Sequence, residues 1–161
     1  MDLKKLGGLA ALVTQAFIFT THSSVAADGN CYRNTCAVWV DIKKSEQRLN
    51  LYVKGENVFS WDVSTGMRGY TTPNFNQHPN GRTHISYTSK KYPREGHYKG
   101  LGNMPYSVFI RGGYAIHGTG NLKNLGKRAS HGCIRSPPDK AKILMELVRK
   151  HGSKNVWITV R

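Results

Sequence analysis

Several features that would place this sequence in a large architectural class are missing from it. It has no internal repeats, no low-complexity tract and no linker-like stretch beyond its first residues, so its 161 residues indicate one domain. Neither a Cys-x-x-Cys pair nor a His-Glu-x-x-His motif is present, and those two spacings are typical of zinc sites. These absences indicate a single-domain protein that lacks two common zinc-binding motifs.

The N-terminal region lacks charge. After two lysines, residues 6–27 hold no charged side chain, and residues 6–19 are mostly apolar. This apolar run is shorter than the about 20 residues that a membrane-spanning helix needs, and small residues that suit signal peptidase follow it. We therefore predict a signal peptide over residues 1–26 and a single exported domain over residues 27–161. The expected location is the periplasm or the cell wall, with no stable membrane anchor after cleavage; an uncleaved anchor is the alternative.

Acidic side chains are scarce. Nine Asp and Glu residues stand against 24 Lys and Arg residues, which gives a formal net charge of +15. Such a charge favours anionic polymers as partners. Nucleic acid is the usual one, but an exported protein meets cell-wall polymers instead, so we expect no nucleic-acid partner. The alternative is that the charge only keeps the protein soluble.

Cysteine occurs only three times. Cys31 and Cys36 enclose four residues, and in an oxidising compartment such a near pair predicts a disulfide. That pairing leaves Cys133 odd, which is typical of a reactive thiol or of an intermolecular bond. The alternative, that Cys133 pairs with one of the other two, stays open from the sequence.

Most of the chain has the alternating pattern of β-strands. Predicted strands cover residues 37–43, 48–54, 58–65, 82–89, 106–111, 114–118 and 155–160. Two long polar segments rich in Gly and Pro, residues 66–81 and 89–105, are predicted loops, and loops of this length are usually functional.

One helix is predicted near the C-terminus. Ser136 suits its N-cap, Pro137 and Pro138 suit its first positions, and Gly152 suits its end. Its apolar stripe comprises Ala141, Leu144, Leu147 and Val148, with Ile143 at the edge. The predicted fold is therefore mainly β, an antiparallel sandwich or barrel with one helix packed on it.

The stretch Ala129–Ser136 concentrates residues that carry chemistry. A histidine beside Cys133 would favour its thiolate and shuttle its proton, and both His117 and His131 are candidates. Gly132 frees nearby backbone amides to hold an oxyanion, and the guanidinium of Arg135 suits a carboxylate. A zinc site formed by the two histidines and the cysteine is the rival interpretation.

The segment 114–136, "YAIHGTGNLKNLGKRASHGCIRS", resembles the active-site signature of the YkuD-type L,D-transpeptidases. Its elements are His117-Gly118-Thr119, Leu125-Gly126, Ser130-His131-Gly132-Cys133, Ile134 and Arg135. Residues 48–66 are similar to the family's opening hairpin, and the likeness continues through the predicted helix to the last strand. The loop at 66–81 departs from the family, because its Thr72-Pro73 is separated from Pro79-Asn80-Gly81.

The resemblance implies the L,D-transpeptidase catalytic fold and a role for each signature residue. Cys133 would be the nucleophile and His117 its acid/base partner, oriented by the carbonyl of Gly118. His131, Gly132 and Cys133 would supply oxyanion amides, with His131 also supporting the site. Substrate-binding roles would fall to Arg135, Ser130, Thr119 and Tyr114.

The implied reaction is acyl transfer between peptidoglycan stem peptides. Cys133 would attack the L-centre carbonyl of the diamino acid at stem position three, terminal D-alanine would leave, and an acceptor amine would complete a 3→3 cross-link. Water as acceptor would make an L,D-carboxypeptidase, and a protein amine would make an anchoring enzyme. The resemblance implies no cofactor, and we expect a monomer. The alternative of another class is a non-catalytic, basic module that binds the cell wall.

Overall fold

The computed structural model describes residues 31–161. The predicted signal peptide lies outside the described residues. Within them, no helix has the length and apolar character needed to cross a membrane.

Nine strands and one helix form the described structure. In chain order they are β1 Val38–Lys43, β2 Arg48–Val53, β3 Glu56–Asp62, β4 Phe75–Gln77, β5 Thr83–His84, β6 Ser107–Arg111, β7 Tyr114–Gly118, β8 Ile134–Ser136, α1 Pro138–His151 and β9 Val156–Val160. Short 3₁₀ turns occupy Arg33–Thr35, Leu122–Asn124 and Ser153–Asn155. The predicted mainly β fold with one helix is confirmed.

The strands form two sheets. The first has the order β3-β2-β1-β9-β4, and the second has the order β5-β6-β7-β8. Both are mixed, because β1 runs parallel to β9 and β7 runs parallel to β8. The expectation of an antiparallel architecture is corrected at these two pairs, since pairing direction depends on which distant strand arrives as neighbour.

Alternation explains which side of each strand faces the core. In β1, Val38, Val40 and Ile42 are fully buried, whereas Trp39 between them faces outward and stacks on Tyr52 of β2. Apolar residues of both sheets and of α1 form one core cluster. This packing places β7 and β8, which carry the signature, against the body of the domain.

Helix α1 packs its apolar stripe on this core. Ala141, Leu144, Met145 and Val148 are buried. The helix ends at His151, before Gly152, as predicted. The predicted N-cap is wrong: Pro137 occupies the cap position, and Ser136 belongs to β8.

Two other predictions about local structure are corrected. The predicted strand 82–89 shortens to Thr83–His84, because the backbone of Tyr87 bonds to Leu101 and Met104 of a facing loop instead of to a strand. The predicted loop 66–81 contains β4, which pairs with β9.

Near the start of the described chain, Cys31 and Cys36 form a disulfide, and Cys133 has a free thiol.

Candidate active site

A cleft of about 610 Å³ brings the signature together with the two long loops. Of the predicted site residues, it is lined by Tyr114, His117, Ser130, His131, Gly132, Cys133 and Arg135. Gly118 and Thr119 are buried and do not line it. The remaining walls come from residues 69–71, Tyr87, residues 89–92, Glu95, Asn103, Met104, Phe109 and Gly113.

Cys133 lies immediately before β8 and is half-buried. Its Sγ donates to the carbonyl oxygen of Gly113 at 3.5 Å. Burial raises the pKa of the Cys133 thiol, although a backbone hydrogen bond from Ala115 and the charge of Arg135 act in the opposite direction. The thiol is therefore uncharged at neutral pH, and it needs a base to become a nucleophile.

His117 is buried at the end of β7. Its Nδ1 lies 2.7 Å from the carbonyl oxygen of Gly118. Because a carbonyl can only accept, Nδ1 must carry the proton, and Nε2 is left as the basic nitrogen of the neutral ring. Burial lowers the pKa of His117 to about 4, helped by the charge of Arg135 and opposed by the bond to Gly118. The imidazole is therefore neutral at physiological pH and able to accept a proton.

The parallel pairing of β7 and β8 brings these groups together. His117 and Arg135 are register partners, and Cys133 is two residues before Arg135. Arg135 is itself 8% exposed, and its Nη1 donates to the carbonyl oxygen of Ala129 at 3.2 Å. Its fixed charge accordingly acts on both His117 and Cys133.

The ring of His131 belongs to an aromatic wall of the cleft. Tyr92 stacks on it at 4.1 Å between ring centroids and 13° between planes, and Tyr70 meets it edge-on at 4.8 Å. Its Nδ1 is buried and has no hydrogen-bond partner among the described residues. This packing holds the His131 ring between two tyrosines.

The turn that carries His131, Gly132 and Cys133 is held by two hydroxyls. Ser130 Oγ donates to the carbonyl oxygen of Cys133 and accepts the Gly132 N–H at 3.1 Å. Thr72 Oγ1 donates to the carbonyl oxygen of Gly132 at 2.8 Å. Gly132 has φ +114°, and a Cβ there would lie 3.0 Å from Cε1 of Tyr114. The turn therefore requires glycine at this position.

Within residues 31–161, no group of three or more His, Cys, Asp and Glu side chains is arranged to hold a metal ion. The alternative of a zinc site is therefore not supported by any set of ligands among the described residues.

A model of the YkuD family, the L,D-transpeptidase catalytic domain, matches residues 37–158. The chain belongs to the YkuD family. It is 31% identical over 123 residues to the probable L,D-transpeptidase YbiS of Escherichia coli K12. The match covers 66% of this chain and 40% of YbiS, so the chain spans less than half the length of that curated relative.

Solved structures of L,D-transpeptidases have the same fold as this chain. One, from Stackebrandtia nassauensis, is 23% identical with a TM-score of 0.64, over 84% of this chain and 60% of that one. The L,D-transpeptidase LdtMt1 in complex with imipenem is 20% identical with a TM-score of 0.64, over 78% of this chain and 59% of that one. At these sequence identities, the similarity to the solved structures establishes only the fold of this chain.

Sequence reasoning marked the two long loops as functional but did not identify which of their side chains line the YkuD cleft. Tyr70, Tyr92, Lys90, Lys91 and Glu95 all line it. The length of the two loops marked them as functional segments, but polar loops have no periodicity that would identify which side chains reach the cleft.

Proposed function

We propose that this protein is an L,D-transpeptidase that acts on peptidoglycan stem peptides through an acyl-enzyme on Cys133. The observation that carries the proposal is the state of His117. The ring lines the same cleft as Cys133, its Nδ1–H is committed to the Gly118 carbonyl, and burial keeps it neutral. A neutral imidazole with a free Nε2 is what an uncharged thiol needs as its base.

The first half-reaction forms the acyl-enzyme. His117 Nε2 takes the thiol proton as Sγ of Cys133 attacks the L-centre carbonyl of the third stem residue. The carbon–nitrogen bond to D-alanine then breaks, and His117 returns the proton to the leaving amine. The Cys133 thiol and the His117 imidazole both begin uncharged. Charge on the imidazolium and on the substrate oxygen therefore develops only as the transition state forms, which is where the site must stabilise it.

The developing oxyanion is expected to lie against backbone amides of the 131–133 turn. The N–H of Gly132 already donates to Ser130 Oγ, so the amides of His131 and Cys133 are the stronger candidates. The Arg135 guanidinium adds a fixed positive charge suited to a substrate carboxylate. Tyr114 lines the cleft, whereas Thr119 is buried two residues after His117.

The second half-reaction transfers the acyl group to an amine of an acceptor stem and yields a 3→3 cross-link. Water as acceptor would give an L,D-carboxypeptidase, and a protein amine would give an anchoring enzyme. No metal or nucleotide takes part in these steps. We further propose that a signal peptide over residues 1–26 directs the monomeric catalytic domain to the periplasm or cell wall, where its substrate is found.

The competing class is a non-catalytic wall-binding module. A wall-binding module does not need a thiol and an oriented imidazole in one cleft. Formation of a covalent adduct on the thiol therefore distinguishes the enzyme from the binding module. Purified protein incubated with imipenem should gain one adduct on Cys133 in mass spectrometry. With purified muropeptides it should release D-alanine, and Cys133→Ala should release none.

The choice of base is tested by single substitutions. His117→Gln should lower the acylation rate by about a thousandfold, because it removes the general base, whereas His131→Gln should lower it far less. A larger loss at His131 would contradict the assignment. If Cys133→Ala still released D-alanine, the proposal of an acyl-enzyme on Cys133 would be contradicted.

A further inference from the structure

The cleft is lined by one carboxylate among several cations. Of the described residues that line it, Glu95 is the single acidic one, whereas Lys90, Lys91 and Arg135 are basic. This composition follows the whole chain, which has nine acidic and 24 basic residues. Glu95 is therefore the one carboxylate among the described lining residues that could bind a cationic ligand in this cleft.

Glu95 pairs with Arg135, whose charge acts on His117 and Cys133. Its Oε2 is 3.7 Å from Nη2 of Arg135, which is the register partner of His117. The Glu95 side chain is 63% exposed, whereas that of Arg135 is 10% exposed, and their 3.7 Å separation is longer than a hydrogen bond. The carboxylate can therefore exchange its contact with Arg135 for a ligand that enters the cleft.

The backbone beside Glu95 is tied to the exit of β7. The N–H of Gly120 donates to the carbonyl oxygen of Gly96 at 2.8 Å. A Cβ on Gly120 would lie 2.1 Å from the carbonyl oxygen of His97, so the two segments touch closely. The loop is thus anchored next to the His117-Gly118-Thr119 segment, and Glu95 is presented to the cleft from a fixed support.

A second anchor holds the other end of this loop. The side chain of Asn103, which is 6% exposed, accepts the N–H of Ser89 at 2.9 Å and donates to the carbonyl oxygen of Tyr92. These bonds fix the segment that carries Lys90 and Lys91 as well, so the cationic and anionic groups of the cleft keep a defined arrangement.

The proposed reaction requires a cation to enter this positive cleft. A primary amine has a pKa near that of lysine, about 10.4, and is therefore an ammonium in neutral solution. Lys90, Lys91 and Arg135 repel it, and Glu95 attracts it. We propose that Glu95 is the acceptor-binding residue, which holds the primary ammonium of the acceptor beside the acyl-enzyme. This inference rests on the proposed transpeptidase function.

The step that Glu95 serves is aminolysis of the Cys133 thioester. The acceptor nitrogen forms a bond to the thioester carbon, and the carbon–sulfur bond breaks. The ammonium loses two protons in all, one of which ends on the Cys133 sulfur while the other passes to solvent. Glu95 binds the ammonium before the first proton is lost, and His117 remains the base of the chemical step.

The test measures how the acyl-enzyme divides between an amine acceptor and water. With the full-length protein and a donor stem peptide, Glu95→Gln should raise the acceptor KM by roughly fivefold, the range of one exposed charge pair. The loss should fall on the acceptor step alone and shrink at high salt. Glu56→Gln is the matched control, because Glu56 is an exposed residue at the start of β3 and does not line the cleft.

An uncharged acceptor shows whether Glu95 acts by binding the charge of the acceptor or by supporting the structure of the cleft. Hydroxylamine is uncharged at neutral pH, so aminolysis by it should be equal in wild type and Glu95→Gln. Glu95→Asp should recover part of the loss with the cationic acceptor.

Three results would overturn the proposal. An unchanged acceptor KM would remove Glu95 from acceptor binding. An equal loss with hydroxylamine would assign it a structural role. A changed rate of donor acylation would show that it acts through Arg135 on His117 and Cys133. If the wild type formed no acyl-enzyme when incubated with the donor alone, that result would instead contradict the proposed function.

Discussion

The Nδ1–H of His117 donates to the carbonyl oxygen of Gly118, its neighbour in the chain, at 2.7 Å. This bond selects the tautomer without a carboxylate partner. A carboxylate would raise the pKa of the imidazole, whereas burial beside Arg135 lowers the pKa of His117 to about 4. The site therefore begins as a neutral imidazole and a neutral thiol.

The first prediction concerns the pH dependence of acylation. The base must be unprotonated, so the rate constant for acylation by imipenem should fall only as the pH drops through about 4, the pKa of His117. Stopped-flow measurements from pH 3.5 to 8 would record this acid limb. His131→Gln should keep the limb in place, and a limb near the ordinary histidine value of about 6.5 would point to a different base.

The second prediction concerns stability. The pKa of His117 is lower in the folded state than in the unfolded state, so the unfolded state binds more protons between pH 6.5 and about 4. Stability should therefore fall as the pH drops through this window, with roughly 3 kcal/mol from this residue. Urea unfolding at pH 7 and pH 4 should show a smaller pH difference for His117→Gln; an identical difference would contradict the buried, neutral imidazole.

The third prediction concerns Gly132. Its φ of +114° and the 3.0 Å approach of a Cβ to Tyr114 disfavour any other residue. Gly132→Ala should destabilise the fold by about 1–3 kcal/mol and slow acylation, because the turn carrying Cys133 must shift. Gly113→Ala is the control for stability, since a Cβ there meets nothing within 4 Å. Equal unfolding midpoints for the two variants would refute the strain argument.

The fourth prediction concerns Thr72, which ties two loops together. Its Oγ1 accepts the N–H of Gly66 and donates to the carbonyl oxygen of Gly132, each at 2.8 Å. Thr72→Val keeps the shape and leaves both backbone groups without this partner, so we expect a loss of about 2–3 kcal/mol in chemical denaturation. Thr71→Val, at the exposed neighbouring position, should cost far less. If both variants unfold alike, these hydrogen bonds do not stabilise the turn.

Much of the architecture could be predicted because it depends on local pattern. The alternation in β1 and β2 and the stripe on α1 identify strands and helix by which side chains must leave water. The three-residue strands β4 and β8 were missed, since segments so short have no measurable periodicity. Ser136 was misassigned as a cap because its position before two prolines fits a helix start, whereas its Oγ accepts a bond from Trp61 Nε1 at 2.6 Å within the core.

The signature by itself identified the candidate nucleophile and base, and the pattern of apolar residues determined the class of fold. Only the tertiary structure decided that β8 runs parallel to β7, that Ser130 occupies the amide of Gly132, and that Glu95 reaches Arg135 from a distant loop. The reason is physical. Side-chain type and local periodicity are properties of neighbouring residues, whereas register, desolvation and the charge around a group are set by segments far apart in the chain.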